Sequence, residues 1–237
     1  MSLQSRQLAL SRGGRVLVEH VDIDVSPGQA LHVRGRNGCG KTSLLRALCG
    51  LAPIHAGQLH WQDQPCAQQR EALRQTLLYI GHGPGLKDDL TLGENLRTAA
   101  ALSGRACSAA QARAALARLG LADRVDAPVR TLSQGQRRRG ALARLALWPA
   151  TQPDAPRLLV LDEPFNALDR QSAAVLGTLL DEHLAAGAVL VYTTHQEAPA
   201  LIATTQVLDL DRHRARRTAM PNTSPSHQEP HREAETC

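Results

Sequence analysis

Eight consecutive residues of this chain have the types and spacing to bind a phosphate. Residues 35–42 read GRNGCGKT and fit the pattern G-x-x-x-x-G-K-[ST] at every position. Three glycines leave backbone N–H groups free to curl around a phosphate, and the helix that follows would point its positive end at them. Lys41 would reach the β- and γ-phosphates of a nucleotide, and the Thr42 hydroxyl would hold Mg²⁺. The alternative is a glycine-rich turn that fits the pattern by chance.

The residues around this stretch favour a phosphate-binding loop. Residues 29–34 (QALHVR) are typical of a short buried strand, and residues 42–49 of a helix that ends at Gly50. Of the 27 basic residues only Lys41 and Lys87 are lysines, which indicates that position 41 needs a compact ammonium. The residues expected to contact the nucleotide are Gly35, Arg36, Asn37, Gly38, Cys39, Gly40, Lys41 and Thr42.

Two carboxylates follow an apolar run further along the chain. Residues 157–161 (RLLVL) predict a buried strand of a parallel sheet, and Asp162 and Glu163 come directly after it. Ligands of open α/β sheets bind at the carboxyl ends of the strands. We therefore expect Asp162 to hold Mg²⁺ and Glu163 to act as the general base for an attacking water.

A second anion site is predicted at residues 132–136, which read LSQGQ and precede a helix over residues 137–147. The alternative is a plain serine N-cap, worth about 1 kcal/mol to the helix. With this stretch the chain resembles the ATP-binding cassette (ABC) family, whose LSGGQ signature has a glycine where Gln134 stands. The resemblance implies that Ser133, Gly135 and Gln136 face the nucleotide of a second copy. It thus implies a head-to-tail homodimer with two sandwiched ATP molecules.

The same resemblance assigns three more positions. His195, in the sequence TTHQ, matches the histidine that contacts the γ-phosphate, and Asp169 matches the D-loop residue that contributes across the dimer. His82 stands where the family usually has a glutamine that contacts Mg²⁺ and water. The first aromatic residue is Trp61, so Arg12 or an aliphatic side chain must cover the adenine.

Several segments are similar to one subfamily, the ATP-binding subunit of the haem exporter of bacterial cytochrome c maturation. These segments are YIGH with PGLK, LSQGQRRRGALARL, DEPFNALD and TTHQ; the departure is Gly83, where the subfamily has glutamine. The resemblance implies an ATPase bound to a separate integral membrane subunit, at the cytoplasmic face of the inner membrane. The alternatives are another transporter's ATPase, a soluble cassette ATPase that acts on nucleic acid or ribosomes, and a different phosphate-loop enzyme such as a kinase.

The fold implied is α/β: a RecA-like P-loop NTPase core with an antiparallel β layer and an inserted helical subdomain. Alternating apolar residues over 3–10 and 16–25 predict the antiparallel layer. An alanine-rich region at about residues 91–121 predicts the helical subdomain, which we expect to extend over about residues 88–147. We expect one ABC ATPase domain over residues 1–211. The change to Arg, His, Pro, Ser and Thr predicts a disordered tail over residues 212–237.

Bulk composition limits the possible partners. The net charge is +5, but aromatic residues are only 2%, so no nucleic acid partner is expected. Five cysteines without a C-x-x-C pair indicate free thiols in a reducing cytosol, and no apolar run is long enough to span a membrane. Cys39 lies beside a helix N-terminus and Lys41, which predicts a depressed thiol pKa; the alternative is an inert side chain in the core.

Overall fold

The computed structural model describes residues 2–153, 155–196 and 201–215, which form two β-sheets and a set of helices. The strands are β1 (Leu3–Arg12), β2 (Arg15–Val25), β3 (Ala30–Arg34), β4 (Ala56–Trp61), β5 (Gln64–Pro65), β6 (Leu77–Ile80), β7 (Leu158–Leu161), β8 (Val189–Thr193) and β9 (Thr205–Asp209). The helices are α1 (Lys41–Leu48), α2 (Arg70–Thr76), α3 (Leu92–Leu102), α4 (Ala109–Arg118), α5 (Gln134–Leu142), α6 (Arg144–Leu147) and α7 (Arg170–Ala185), with short 3-10 turns at Ala122–Arg124, Val129–Thr131 and Leu210–His213.

The larger sheet is parallel and has the order β6-β7-β8-β3-β9. Strand β7 lies inside it, and all four of its residues are buried. Leu158 and Val160 face one hydrophobic core, whereas Leu159 and Leu161 face the other. The unbroken apolar run predicted this strand because a parallel sheet covered on both faces needs no alternation.

The smaller sheet is antiparallel and has the order β2-β1-β4-β5. One core lies between the two sheets and contains Leu44, Leu45 and Leu48 of α1. The other core lies on the opposite face of the parallel sheet, against α7 and the helical region. The expected α/β fold with an antiparallel layer is confirmed.

The helical region follows β6 and consists of α3 to α6. A capping box begins each of its three longer helices, with Thr91 and Glu94 at α3 and Ser108 and Gln111 at α4. In each box the cap side chain accepts from a backbone N–H that the helix leaves free. The side chain of the third helical residue in turn accepts from the backbone N–H of the cap residue. Local sequence therefore fixes where these helices begin.

Two elements were not predicted from the sequence, and one boundary differs from the prediction. The link between β4 and β6 contains helix α2, and β9 forms an edge of the parallel sheet. Ordered contacts continue past residue 211, because Arg214 bridges to Val18 of β2. The rest of the predicted tail, residues 216–237, lies outside the described residues. None of the helices in the described part of the chain has both the length and the apolar character that a membrane crossing requires.

Candidate active site

The predicted phosphate loop follows β3 and opens α1. Gly35, Gly38 and Gly40 have φ values of 141°, 78° and 111°, a range that glycine adopts far more readily than any residue with a Cβ. Gly40 is the N-cap of α1, and no side chain caps this helix. The first N–H groups of α1 therefore have no side-chain acceptor of the kind that caps α3, α4, α5 and α7, which suits an anion-binding loop.

Lys41 lies at the centre of the site and is only 9% exposed. Its ammonium Nζ donates to the carbonyl oxygens of Gly35 at 2.8 Å and Arg36 at 3.3 Å, and it lies 3.0 Å from Nε2 of His195. An ammonium has no lone pair to accept with, so Nε2 of His195 must be the acceptor. The structure thus brings the predicted lysine and the predicted histidine into direct contact.

A chain of hydrogen bonds fixes the two carboxylate residues at the end of β7. The Thr42 hydroxyl donates to Asp162 Oδ2 at 2.8 Å, and the Thr193 hydroxyl donates to Asp162 Oδ1 at 2.7 Å. The Thr193 oxygen also accepts from the backbone N–H of Glu163 at 2.9 Å. Thr193 was missed by the sequence analysis, although its position at the end of β8, the strand beside β7, is a signal that could have identified it.

The oxygen atoms of Thr42 and Asp162 form a donor set of the kind that Mg²⁺ prefers. A hydroxyl and a carboxylate within 2.8 Å of each other are hard oxygen ligands, and Mg²⁺ sites usually combine one or two carboxylates with substrate phosphates. The residues present therefore fit the ion. When bound, Mg²⁺ would neutralise negative charge on the β- and γ-phosphates.

The Glu163 carboxylate is 12% exposed and is held by the backbone that follows β8. Its Oε2 accepts from the N–H of His195 at 3.1 Å, and its Oε1 lies 3.5 Å from His195 Nε2. Because Nε2 accepts from Lys41, the contact with the main-chain N–H is the one that orients Glu163. The backbone of Glu163 has a φ of 51°, which is uncommon for a residue with a side chain.

These side chains share a cavity of about 430 Å³. It is lined by Arg12, Leu17, Asn37, Gly38, Gly40, Lys41, Thr42, Ser43, His82, Asp162, Glu163, Asn166, His195 and Gln196. Arg12 and Leu17 come from the antiparallel sheet. They are the cationic and aliphatic side chains at this cavity of the kind that we expected to cover the adenine in place of an aromatic ring. Gly35 and Arg36 contribute carbonyls to Lys41 but do not line the cavity.

The signature residues Ser133, Gly135 and Gln136 lie outside this cavity. Ser133 caps α5: its Oγ accepts from the Gln136 N–H at 3.2 Å, and its own N–H donates to Gln136 Oε1 at 2.9 Å. A Cβ on Gly135 would lie 3.1 Å from the carbonyl oxygen of Ala167, so glycine allows the signature to pack closely on the loop before α7. The structure confirms the serine N-cap, which is compatible with a role toward another copy.

Asp169 also caps a helix in its own chain. Its Oδ1 accepts from the N–H of Ser172 at 2.7 Å at the start of α7, and this hydrogen bond lowers the pKa of the Asp169 carboxyl. The side chain is exposed and does not line the cavity that holds Lys41. The structure therefore separates Asp169 and the signature from the other predicted site residues.

The expected depressed pKa of Cys39 is wrong. Cys39 is 3% exposed and belongs to the core between the two sheets. Burial raises the pKa of its thiol, and this outweighs the opposite effects of the Lys41 charge and backbone N–H. The side chain of this loop residue is a packing group, as the alternative interpretation held.

The last described residues close against the phosphate loop. Strand β9 pairs with β3 in parallel, and the turn after it places Asp211 beside Arg36. Asp211 Oδ2 accepts from the Arg36 N–H at 2.9 Å, and Oδ1 accepts from Arg36 Nε at 3.3 Å. These hydrogen bonds lower the pKa of the Asp211 carboxyl and fix the first part of the loop.

The sequence profile of the ABC transporter family matches residues 18–166. The chain is similar to "Cytochrome c biogenesis ATP-binding export protein CcmA" of Aromatoleum aromaticum, with 50% identity over 208 residues that cover 88% of this chain and 94% of that protein. It is also similar to the protein of the same name from Albidiferax ferrireducens, with 45% identity over 209 residues that cover 88% and 97%.

Two solved structures show the same fold. A putative ABC transporter ATP-binding protein of Pyrococcus furiosus has a TM-score of 0.76 at 20% identity and covers 91% of this chain and 100% of its own. A bacterial Atm1-family ABC exporter with ATP bound has a TM-score of 0.72 at 21% identity and covers 88% of this chain and 37% of its own. With the family profile and relatives of up to 50% identity over nearly their full length, the chain belongs to the ABC transporter family, among the cytochrome c biogenesis ATP-binding export proteins.

Proposed function

We propose that this chain is the ATP-hydrolysing, energy-coupling subunit of an ABC transporter complex for c-type cytochrome biogenesis, which exports or handles haem at the inner membrane. The observation that carries the proposal is the meeting of Lys41, Thr42, Asp162, Glu163 and His195 at one cavity. The names of the relatives supply the pathway, and their identity of up to 50% favours this transporter over another ABC transporter or a soluble cassette ATPase.

Each of these residues has a task that follows from its chemistry. The loop N–H groups and the Lys41 ammonium bind the phosphates of ATP, and Thr42 and Asp162 hold Mg²⁺. The Glu163 carboxylate, aimed by the His195 N–H, positions the attacking water and takes its proton. His195 holds Lys41 through Nε2, and we assign it a contact with the γ-phosphate. Positioning and electrostatics supply most of the catalysis of phosphoryl transfer.

A second copy completes each site in this proposal. Ser133, Gly135 and Gln136 of one copy, together with its Asp169, face the nucleotide held by the other copy. Because the signature lies outside the cavity that holds Lys41, a composite site needs a head-to-tail homodimer. His82 lines the same cavity, which supports assigning it a contact with Mg²⁺ or the attacking water.

The membrane subunit binds at the junction between the core and the helical region, residues 82–96. Buried Asn95 holds this junction: its Oδ1 accepts from the Lys87 N–H at 2.7 Å, and its amide donates to the Lys87 carbonyl at 3.0 Å. The Lys87 side chain is exposed beside this fixed backbone. An integral membrane partner at this surface places the chain on the cytoplasmic face of the inner membrane as a peripheral subunit.

Glu163→Gln tests the catalytic assignment, because it keeps the shape of the side chain and removes the base. We expect turnover to fall at least about 100-fold while ATP remains bound and the dimer persists in light scattering. Glu182→Gln, at a surface ion pair with Arg118, is the matched control and should keep its turnover. Wild-type turnover in Glu163→Gln would reject the role of this carboxylate.

The transporter assignment is tested in a bacterial strain that lacks its own cytochrome c biogenesis ATP-binding export protein. The wild-type chain should restore c-type cytochromes, seen by haem staining, and should co-purify with a multi-span membrane protein. Glu163→Gln should co-purify but restore nothing. Failure of the wild-type chain to do either would argue for a different ATPase function.

A further inference from the structure

Arg138 of the signature helix α5 joins two strand ends that the mechanism uses. It is 5% exposed, and its guanidinium donates to four backbone carbonyls. Nη1 lies 2.9 Å from the Gly81 oxygen and 3.4 Å from the His82 oxygen, just beyond β6. Nη2 lies 2.8 Å from the oxygens of both Asp162 and Glu163, just beyond β7.

The part of the backbone that Arg138 holds is the part that needs support. Glu163 has a φ of 51°, which a residue with a Cβ keeps only when its surroundings hold it. Two further hydrogen bonds do so: the Glu163 N–H donates to the Thr193 hydroxyl oxygen at 2.9 Å, and the Asn166 N–H donates to the Glu163 carbonyl at 3.1 Å. Arg138 adds the bonds to the carbonyls on both sides of the Glu163 Cα.

A planar, always charged guanidinium suits this position. A buried charge is costly unless it is hydrogen-bonded, and here the negative ends of four peptide dipoles surround it. Burial lowers the pKa of Arg138, whereas the charges of Asp162 and Glu163 raise it. A lysine would retain the charge, but a single ammonium has no planar fork to reach both strand ends at once.

We propose that Arg138 is a positioning residue for ATP hydrolysis, which acts through the Asp162–Glu163 backbone to aim the Glu163 carboxylate at the attacking water. This proposal rests on the role given to Glu163 above. Arg138 does not line the cavity that holds Lys41, so it should affect turnover rather than nucleotide binding. Because Ser133 is the N-cap of α5, Arg138 also links the signature to the catalytic carboxylate of its own chain.

Arg144 of α6 provides a matched control. It is a half-buried arginine that also reaches β6, but its guanidinium donates to the carbonyl of Tyr79 at 3.2 Å, away from the end of β7. Nε is buried without a hydrogen-bond partner in both arginines. Replacing Arg144 therefore removes a buried arginine from the same region without releasing the Glu163 backbone.

The test compares Arg138→Lys, Arg138→Gln, Arg144→Lys and Glu163→Gln in the purified full chain. We measure kcat and KM for ATP, and the melting temperature by differential scanning fluorimetry. In both Arg138 variants kcat should fall about 10- to 100-fold while KM stays within about twofold, because misplacing a reacting group by about 1 Å costs this much. Arg144→Lys should lower the melting temperature to a similar extent and keep kcat within about twofold.

Three outcomes would overturn the proposal: kcat within about twofold of wild type in both Arg138 variants, an equal loss of kcat in Arg144→Lys, or loss of the fold in both Arg138 variants, which would make the role structural. Glu163→Gln separates these failures from a failure of the proposed function. If Glu163→Gln is inactive and the Arg138 variants are normal, only the present proposal fails. If Glu163→Gln keeps its turnover, the role of Glu163 fails first.

Discussion

Two helices of this chain begin at glycine-containing loops that we assign to phosphates, and they begin in different ways. Helix α1 starts at Gly40, which has a φ of 111° and no capping side chain. Helix α5 starts at Ser133, where a complete capping box with Gln136 satisfies backbone donors within the same chain. The phosphate loop therefore keeps its donors for a ligand, whereas the signature helix is already stabilised without one.

The two helix N-termini also differ in burial and in their contact with the cavity. Lys41 is 9% exposed and is held by carbonyls of its own loop, while Ser133 is exposed and lies outside the cavity. The comparison indicates that residues of a single chain form the anion-binding site of the phosphate loop. The signature is instead a surface that is already stable in one chain, and in the proposed homodimer it would contact the nucleotide held by the second copy.

The largest effect should come from placing one lesion in each of these loops. Lys41→Ala and Ser133→Arg should each be inactive alone, because every composite site of either homodimer carries a lesion. On mixing, about a quarter of wild-type turnover should return, since half of the dimers are mixed and each mixed dimer has one intact site. The measurement is phosphate release after the two purified variants have exchanged subunits.

A matched mixture sharpens this comparison. Lys41→Ala and Glu163→Gln lie on the same side of the composite site, so their mixed dimers contain no intact site and should remain inactive. Recovery in this control, or no recovery when Lys41→Ala meets Ser133→Arg, would contradict the assignment of the signature to another copy.

The next effect concerns the junction between the two regions. Lys87→Glu should lower c-type cytochrome levels several-fold and keep basal ATP hydrolysis within about twofold, because the exposed side chain lies at the proposed membrane-subunit surface. Leu86 is left unchanged because it packs against the core. Haem staining and phosphate release are the measurements. Arg74→Glu on α2 makes the same charge change elsewhere, and an equal cytochrome defect in it would remove the support for this surface.

A smaller effect should separate the two roles of Ser133. Ser133→Ala should lower the free energy of unfolding by about 1 kcal/mol through loss of the cap, and it should also reduce kcat. Ser108→Ala removes an equivalent cap at α4, where Ser108 accepts from the Gln111 N–H at 3.2 Å. Urea unfolding should show that Ser108→Ala loses as much stability as Ser133→Ala. ATPase assays should show that Ser108→Ala keeps its kcat. Equal turnover in the two variants would mean that Ser133 acts only as a helix cap and has no role in ATP hydrolysis.

The smallest effect is expected at Cys39, where we predict almost no labelling. Burial raises the pKa of this thiol and removes it from solvent, so a short maleimide pulse should leave it unmodified with or without Mg-ATP. Cys107 is partly exposed and should react. Peptide mapping measures both sites. If Cys39 were labelled as fast as Cys107, the phosphate loop would have to move and expose this buried thiol to solvent.

The sequence predicted the parts of the site that depend on neighbouring residues. The phosphate loop needs glycines and a lysine at fixed spacing, and the carboxylates follow an apolar strand, so short stretches were sufficient. Thr193 and Arg138 were missed because their partners are distant: 31 residues separate Thr193 from Asp162, and 24 separate Arg138 from Asp162. With 27 basic residues, 25 of them arginines, residue type alone did not single out Arg138.

The errors in the fold have similar causes. Strand β9 is an edge strand with a single fully buried residue, Leu208, so its apolar pattern was too weak to predict it. The direction of the Cys39 pKa shift was predicted from nearby charges. It depends instead on burial by residues far away in the chain, among them Leu210. Sequence spacing reports local charge well and desolvation poorly.

The contact between Asp211 and Arg36 has a consequence for the order of synthesis. Asp211 is 175 residues beyond the N–H that it holds, and β9, which pairs with β3, follows β8 in the sequence. A chain made from its amino terminus therefore has its phosphate loop long before it has the residues that fix the loop. We therefore predict that a ribosome-bound fragment that ends before Thr205 binds ATP more weakly than the full chain does.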